Sequence, residues 1–172
     1  MLLKAWQFIT ILLTALLVGM TFCHVLELPA KMEYPASLYL TLHRTLYAAF
    51  GPPGRPGPFI EIGAIVAAGV LVFLVRKRRP AFWLTLLAVL SLAAGLAVYF
   101  WFVEPANAEM KGWTLAAPPS DWSSWRDRWE YGHAAHFVFH LVGFGALVLS
   151  LVGDDTRSRS YTSASVRNVW RR

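Results

Sequence analysis

The sequence predicts an all-α integral membrane protein, a four-helix bundle with a short outward helix in the membrane interface. Three observations predict it. Apolar residues make up 56% of the 172 residues and charged ones only 15%, with a mean hydropathy of +0.46, well above a water-soluble domain of this length. Four segments, roughly 5–28, 58–75, 82–103 and 130–152, reach or approach the ~20 apolar residues that carry a helix across a bilayer core. The basic residues gather at Arg76-Lys77-Arg78-Arg79 and between Arg157 and Arg172, both flanking apolar segments. Membrane topology therefore accounts for the net charge of +6, and no nucleic-acid partner is expected.

The first span opens after Lys4 and ends in the stretch Thr21-Phe-Cys-His-Val-Leu-Glu-Leu-Pro29. A basic residue before an apolar run resembles a leader, but no small-x-small cleavage pattern follows, so a retained helix is expected, with Pro29 stopping it. Within 35–50, Leu38, Leu42 and Leu46 recur at helical spacing beside His43 and Arg44, which suits a helix lying in the interface. The stretch Gly51 to Pro58 reads as a non-helical linker outside the hydrocarbon. Ser120-Asp121 is a cap candidate for the last span, whose opening turns carry Trp122, Trp125 and Trp129 as an aromatic belt. Arg126, Asp127, Arg128 and Glu130 are placed to pair locally. The single cysteine, Cys23, gives no disulfide framework and reads as a small buried apolar residue.

The bundle thus occupies 1–153, and 154–172 is a basic tail expected to be disordered. The positive-inside bias puts Arg76–Arg79 and this tail in the cytoplasm, so both termini are cytoplasmic, and the expected location is a bacterial inner membrane. The connections at about 29–57 and 104–129 then face outward.

Depth counting from this topology places His24, Glu27, Glu61, Glu104 and His133 in one outer layer. His136 and His140 follow His133 at i+3 and i+7, one helix face descending about 10 Å at 1.5 Å per residue. A charged group in the middle of a membrane helix costs roughly 2.5–3.5 kcal/mol and normally faces a partner in the bundle. Imidazole and carboxylate are also the ligands of iron, copper, manganese and zinc, and helix bundles build such sites from facing side chains. The candidate ligands are His24, Glu27, Glu61, Glu104 and His133, with an iron or copper ion or no metal at all. Haem fits less well, because only His24 opposes the histidine stripe. Set against this, a single His or Glu near the bilayer surface is more often solvated or snorkelling, and tryptophans there are commonly anchors.

The order of features resembles the anthrone-oxygenase-like family of small four-helix membrane proteins. The resemblance covers most of 10–150 and rests on G-M-T-F-C-H-V-L-E-L-P-A-K closing the first span, Pro105 and Asn107 after the third, and Trp129 with His133 opening the fourth. Where the family pattern has a basic residue three positions after that histidine, this chain has His136. The resemblance implies a four-helix fold and, in some members, oxygenation of an anthrone to a quinone without an obligatory metal.

One expectation is therefore an oxidoreductase or oxygenase acting on a lipophilic, aromatic or quinone-type substrate. His133 or His24 would act as base, Asn107 would stabilise an oxyanion, and Trp125, Trp129, His136 and His140 would line the substrate site. The alternative is a non-catalytic structural or accessory subunit of a larger membrane complex, with membrane-protein partners or further copies of this chain. A transporter or channel is less favoured, because four spans without inverted repeats form no path alone.

Overall fold

A computed structural model describes residues 1–51 and 55–169, with side chains as far as residue 153 except at 49. It contains α1 (Leu2–Met32), α2 (Ala36–Thr45), a 3-10 turn (Tyr47–Ala49), α3 (Pro56–Val75), α4 (Arg79–Val98), a π-helical turn (Tyr99–Val103), α5 (Glu104–Lys111) and α6 (Trp122–Val169). No strand occurs among the described residues. Four helical stretches are long and apolar enough to cross a membrane: Leu2–Met32, Pro56–Val75, Arg79–Lys111 and Trp122–Gly153.

The four stretches close into a ring in which α1 meets α3 and α6, and α4 meets α3 and α6. Small residues set the approach, as they must where lipid is as apolar as leucine and only close packing draws helices together. Ala64, Ala67, Ala68, Ala81, Ala88 and Ala146 are buried. A Cβ on Gly143 of α6 would come within 3.2 Å of the Ala88 carbonyl oxygen on α4. Polar groups between the helices pair with one another away from the imidazoles: Trp6 Nε1 donates to the Ala67 carbonyl at 2.9 Å, and the Thr85 and Ser150 hydroxyls meet at 3.2 Å.

Several expectations change here. Pro29 does not end α1, which continues one turn to Met32. So close to the C-terminus only one hydrogen bond is forfeited, and the extra turn places Lys31 inside the bundle. The Gly/Pro lead is partly helical, since α3 starts at Pro56, where the first turn needs no amide donor; residues 52–54 lie outside the described ones. Cys23 is exposed on the outer surface of the ring rather than buried. The tail expected to be irregular continues α6 to Val169, while its side chains from 154 onward, and all of 170–172, lie outside the described residues.

The π-helical turn has a local cause. Pro105 has no N–H to give to the Trp101 carbonyl, and its ring crowds that oxygen, so the helix widens over Tyr99–Val103. Arg128 of α6 supplies the missing donors, with Nη2 2.7 Å from the Trp101 oxygen and Nε 3.3 Å from that of Phe102.

Candidate functional site

A column of four imidazoles, three of them buried and His24 half-buried, occupies the middle of the ring. His133, His136 and His140 share one face of α6 and are 9%, 3% and 0% exposed. His24 of α1 stacks on His133 with ring centroids 4.1 Å apart and planes at 21°. The His133 and His136 rings are 6.2 Å apart, and those of His136 and His140 only 4.0 Å. Glu61 of α3 closes the far end, its Oε1 2.9 Å from His136 Nε2 and 3.5 Å from His140 Nε2. Ligand atoms of Glu61, His136 and His140 all lie within 4.8 Å of one another.

The fourth wall makes room for the column. Gly95 of α4 faces it, and a Cβ there would stand 2.9 Å from His140 Nε2 and 3.0 Å from His136 Cδ2. The imidazoles leave polar atoms unspent, for Nδ1 of His24, His133, His136 and His140, and Nε2 of His140, are buried without a hydrogen-bond partner. Buried ring nitrogens are normally satisfied, so each of these atoms has capacity left to bond a water, a ligand or an ion.

Above the column sits a lid. Trp129, 2% exposed, packs its ring against His133 at 4.2 Å, His24 at 5.1 Å, Tyr47 at 5.2 Å and His43 at 5.5 Å. Its Nε1–H donates to Asn107 Oδ1 at 2.8 Å, and His43 Nε2 meets the same oxygen at 3.1 Å. An indole nitrogen only donates, which fixes that amide atom as oxygen and makes His43 a second donor. The Asn107 Nδ2 group reaches the Tyr99 hydroxyl and Glu104 Oε2, both at 3.3 Å, so the whole amide is engaged in holding the lid. Burial, the leading cause, lowers the His43 pKa, and the positive Arg44 and Lys31 lower it further, against an opposing contribution from the Asn107 bond.

Beside the lid runs an ionic network. Lys31 Nζ lies 2.8 Å from Glu130 Oε2 and 3.5 Å from Glu27 Oε2, and 4.9 Å from the ring centres of both Tyr47 and Trp129. The Tyr39 hydroxyl donates to Glu130 Oε1 at 3.1 Å and that of Tyr47 to Glu27 Oε2 at 2.5 Å. Burial first, then the neighbouring carboxylates, push both phenols well above their usual pKa, so they remain donors.

Of the five groups expected in one outer layer, His24 and His133 meet. Glu61 lies deeper, beside His136 and His140. The reason is stagger: α1 and α4–α5 run 31 and 33 residues, while α3 has only 20, so a count from the span ends sets Glu61 too high. Glu27 joins Lys31 and Tyr47, and Glu104 joins Tyr99 at 3.1 Å and Asn107. Trp129 lies over the imidazoles, whereas Trp125 gives its indole N–H to Asp121 at 3.3 Å and packs beneath Arg128. Local pairing holds for Arg126 with Asp127 at 2.8 Å, but Glu130 pairs across the bundle with Lys31.

Sequence reasoning passed over Lys31, Tyr39, Tyr47, Tyr99 and Gly95, and gave Glu130 a local partner only. The i, i+4 spacing of Glu27 and Lys31 was the available signal for the ionic network, and Gly95 within Ala93-Ala94-Gly95 was the signal for a close approach. Searched against protein families, curated proteins and solved structures, the chain matches none.

Proposed function

We propose that this chain is a membrane-embedded oxidoreductase that oxidises a lipophilic, ring-bearing substrate of the phenol, anthrone or quinol class, using the imidazole column as its proton-accepting interior. The observation that carries this reading is the stacked pair His24–His133, whose Nδ1 atoms are both buried and unpartnered beneath the Trp129 lid. A neutral imidazole with a free nitrogen in a low-dielectric setting is a general base. An anthrone carries an acidic methylene between two rings: loss of its proton to His133 or His24 gives a carbanion that takes up dioxygen. Loss of water from the resulting hydroperoxide leaves the carbonyl, so each methylene and each dioxygen consumed yield one carbonyl and one water. Asn107 is fully engaged by the lid, which favours a holding role for it over oxyanion stabilisation.

A lipid-facing groove beside the column offers a place for such a substrate to approach. A groove of about 520 Å³ opens on the seam of α4 and α6, lined by Val98, Phe102, Tyr131, Gly132 and Ala135 with Asp127 and Arg128 at its polar edge. Gly132 and Ala135 precede His133 and His136 by one residue, so the groove runs along the helix face next to the one that bears the column. In the proposed topology both termini are cytoplasmic, in a bacterial inner membrane. The lid then faces outward, with α2 in the interface.

The test offers an anthrone and a quinol to the purified protein in lipid nanodiscs under air. Expected is dioxygen uptake equal to anthrone consumed, lost in His133→Ala and reduced in His24→Ala. Turnover of neither probe by the natural protein sinks the oxidoreductase reading. A second reading, an accessory subunit of a larger membrane complex, draws on the outward aromatic run Phe100, Trp101 and Phe102, which are 60%, 74% and 50% exposed. Its mark would be a stoichiometric partner retained through gentle solubilisation.

A further inference from the structure

We propose that Glu61, His136 and His140 form a binding site for one divalent first-row transition ion, held by two imidazole nitrogens and one carboxylate oxygen. The distances carry the argument. With metal–ligand bonds of about 2.0–2.2 Å, donors at right angles lie about 3.0 Å apart and tetrahedral donors about 3.4 Å apart. Glu61 Oε1 stands 2.9 Å from His136 Nε2 and 3.5 Å from His140 Nε2, two edges of such a polyhedron, and all three ligand atoms lie within 4.8 Å of one another.

A hydrogen bond accounts for the shorter edge alone. It leaves His140 Nε2 buried, 0% exposed as a residue and without a partner, beside a carboxylate oxygen it does not bond. An ion equidistant from the three donors satisfies that nitrogen and the carboxylate together. His136 and His140 stand at i and i+4 on α6, the spacing by which two helix-borne histidines take one zinc ion. Glu61 comes from the opposite helix, so the donors converge from two rigid elements, α3 and α6. Gly95 completes the cradle, because any side chain there would push the two imidazoles off their common point.

Two histidines and one carboxylate are borderline ligands, suited to iron(II), zinc, cobalt(II) or copper(II) rather than calcium or magnesium. Three protein donors leave a coordination position for water or a substrate oxygen. The proposal goes beyond the oxidoreductase reading and stands apart from it, since metal uptake is measured without turnover.

The test uses the full chain, purified in detergent, stripped with a chelator and titrated with Co(II), then with Zn(II). Expected are one equivalent of cobalt per chain, visible d–d bands of a nitrogen–oxygen site, displacement by zinc, and a higher Tm of the natural protein in the presence of zinc. His140→Asn and Glu61→Gln should lose the bound equivalent while eluting as monodisperse protein, and Cys23→Ser should keep it. Sub-stoichiometric uptake by the natural protein, or uptake unchanged in both His140→Asn and Glu61→Gln, overturns the site. Should either variant fail to fold, the stoichiometry and the zinc-dependent Tm of the natural protein still decide it.

Discussion

Lys31 and Glu130 meet inside the bundle with Nζ and Oε2 2.8 Å apart and side chains 2% and 0% exposed. The contact lies off hydrogen-bonding angles for both atoms, so charge attraction and the rings around Lys31 hold it rather than a directed bond. It ties the last turn of α1 to the third turn of α6, directly beside the Trp129 lid.

Removing one partner strands the other charge in a site shut off from water. Lys31→Met should therefore destabilise the protein by about 3–5 kcal/mol, whereas Lys31→Met with Glu130→Gln should recover much of that loss. Thermal unfolding in a fixed detergent, followed by tryptophan fluorescence, measures both. A single variant that unfolds no earlier than the natural protein would show that the pair carries little.

Gly95 is the second lever, because it has no side chain where one would touch two imidazoles. Gly95→Ala puts a methyl 2.9 Å from His140 Nε2 and 3.0 Å from His136 Cδ2, and both of these buried rings would have to shift. The expected loss is about 1–3 kcal/mol of stability from overpacking, together with loss of cobalt uptake. Gly145→Ala, where a Cβ meets nothing within 4 Å, is the control and should leave uptake intact. Unaltered cobalt binding in Gly95→Ala would mean that the imidazoles are less tightly held than the packing requires.

How far the sequence foretold this arrangement follows from what spacing can and cannot encode. The spans were legible because twenty apolar residues in a row admit few structures, and the face shared by His133, His136 and His140 followed from helical periodicity. Which partner each polar group finds was not legible, since it depends on how helices of unequal length are staggered. Glu61 illustrates this: five residues into the short α3, it lands beside His136 rather than His133. Lys31 was hidden for a different reason, because Pro29 reads as a stop when it falls mid-pattern and is tolerated when only one turn remains.

Arg128 and Pro105 should be coupled. The proline frees the Trp101 carbonyl and the guanidinium occupies it at 2.7 Å, from an exposed position where part of the gain is lost to water. Arg128→Ala should cost about 1 kcal/mol in the natural background, in the range of a net hydrogen bond, and less when Pro105→Ala returns an amide donor to that carbonyl. A double-mutant cycle on unfolding midpoints checks this, and strict additivity would remove Arg128 as the carbonyl's substitute donor.

The lid should loosen in acid through His43. Its pKa in the folded protein is lowered from the ordinary value of 6.5, first by burial, so the unfolded chain binds a proton that the folded chain resists. Stability then rises with pH wherever the unfolded state holds more protons. For His43 the contribution is complete above about pH 6.5 and declines as pH falls from there toward the depressed folded value. Protonation does not remove the donor to Asn107 Oδ1, but it places a cation near Arg44 and Lys31 beneath the lid. The natural protein should accordingly lose more Tm between about pH 7 and pH 5.5 than His43→Gln, which keeps an amide donor and does not titrate. Because the remaining histidines are common to both proteins, the difference between the two curves isolates His43. Parallel curves would place the acid sensitivity elsewhere in the column.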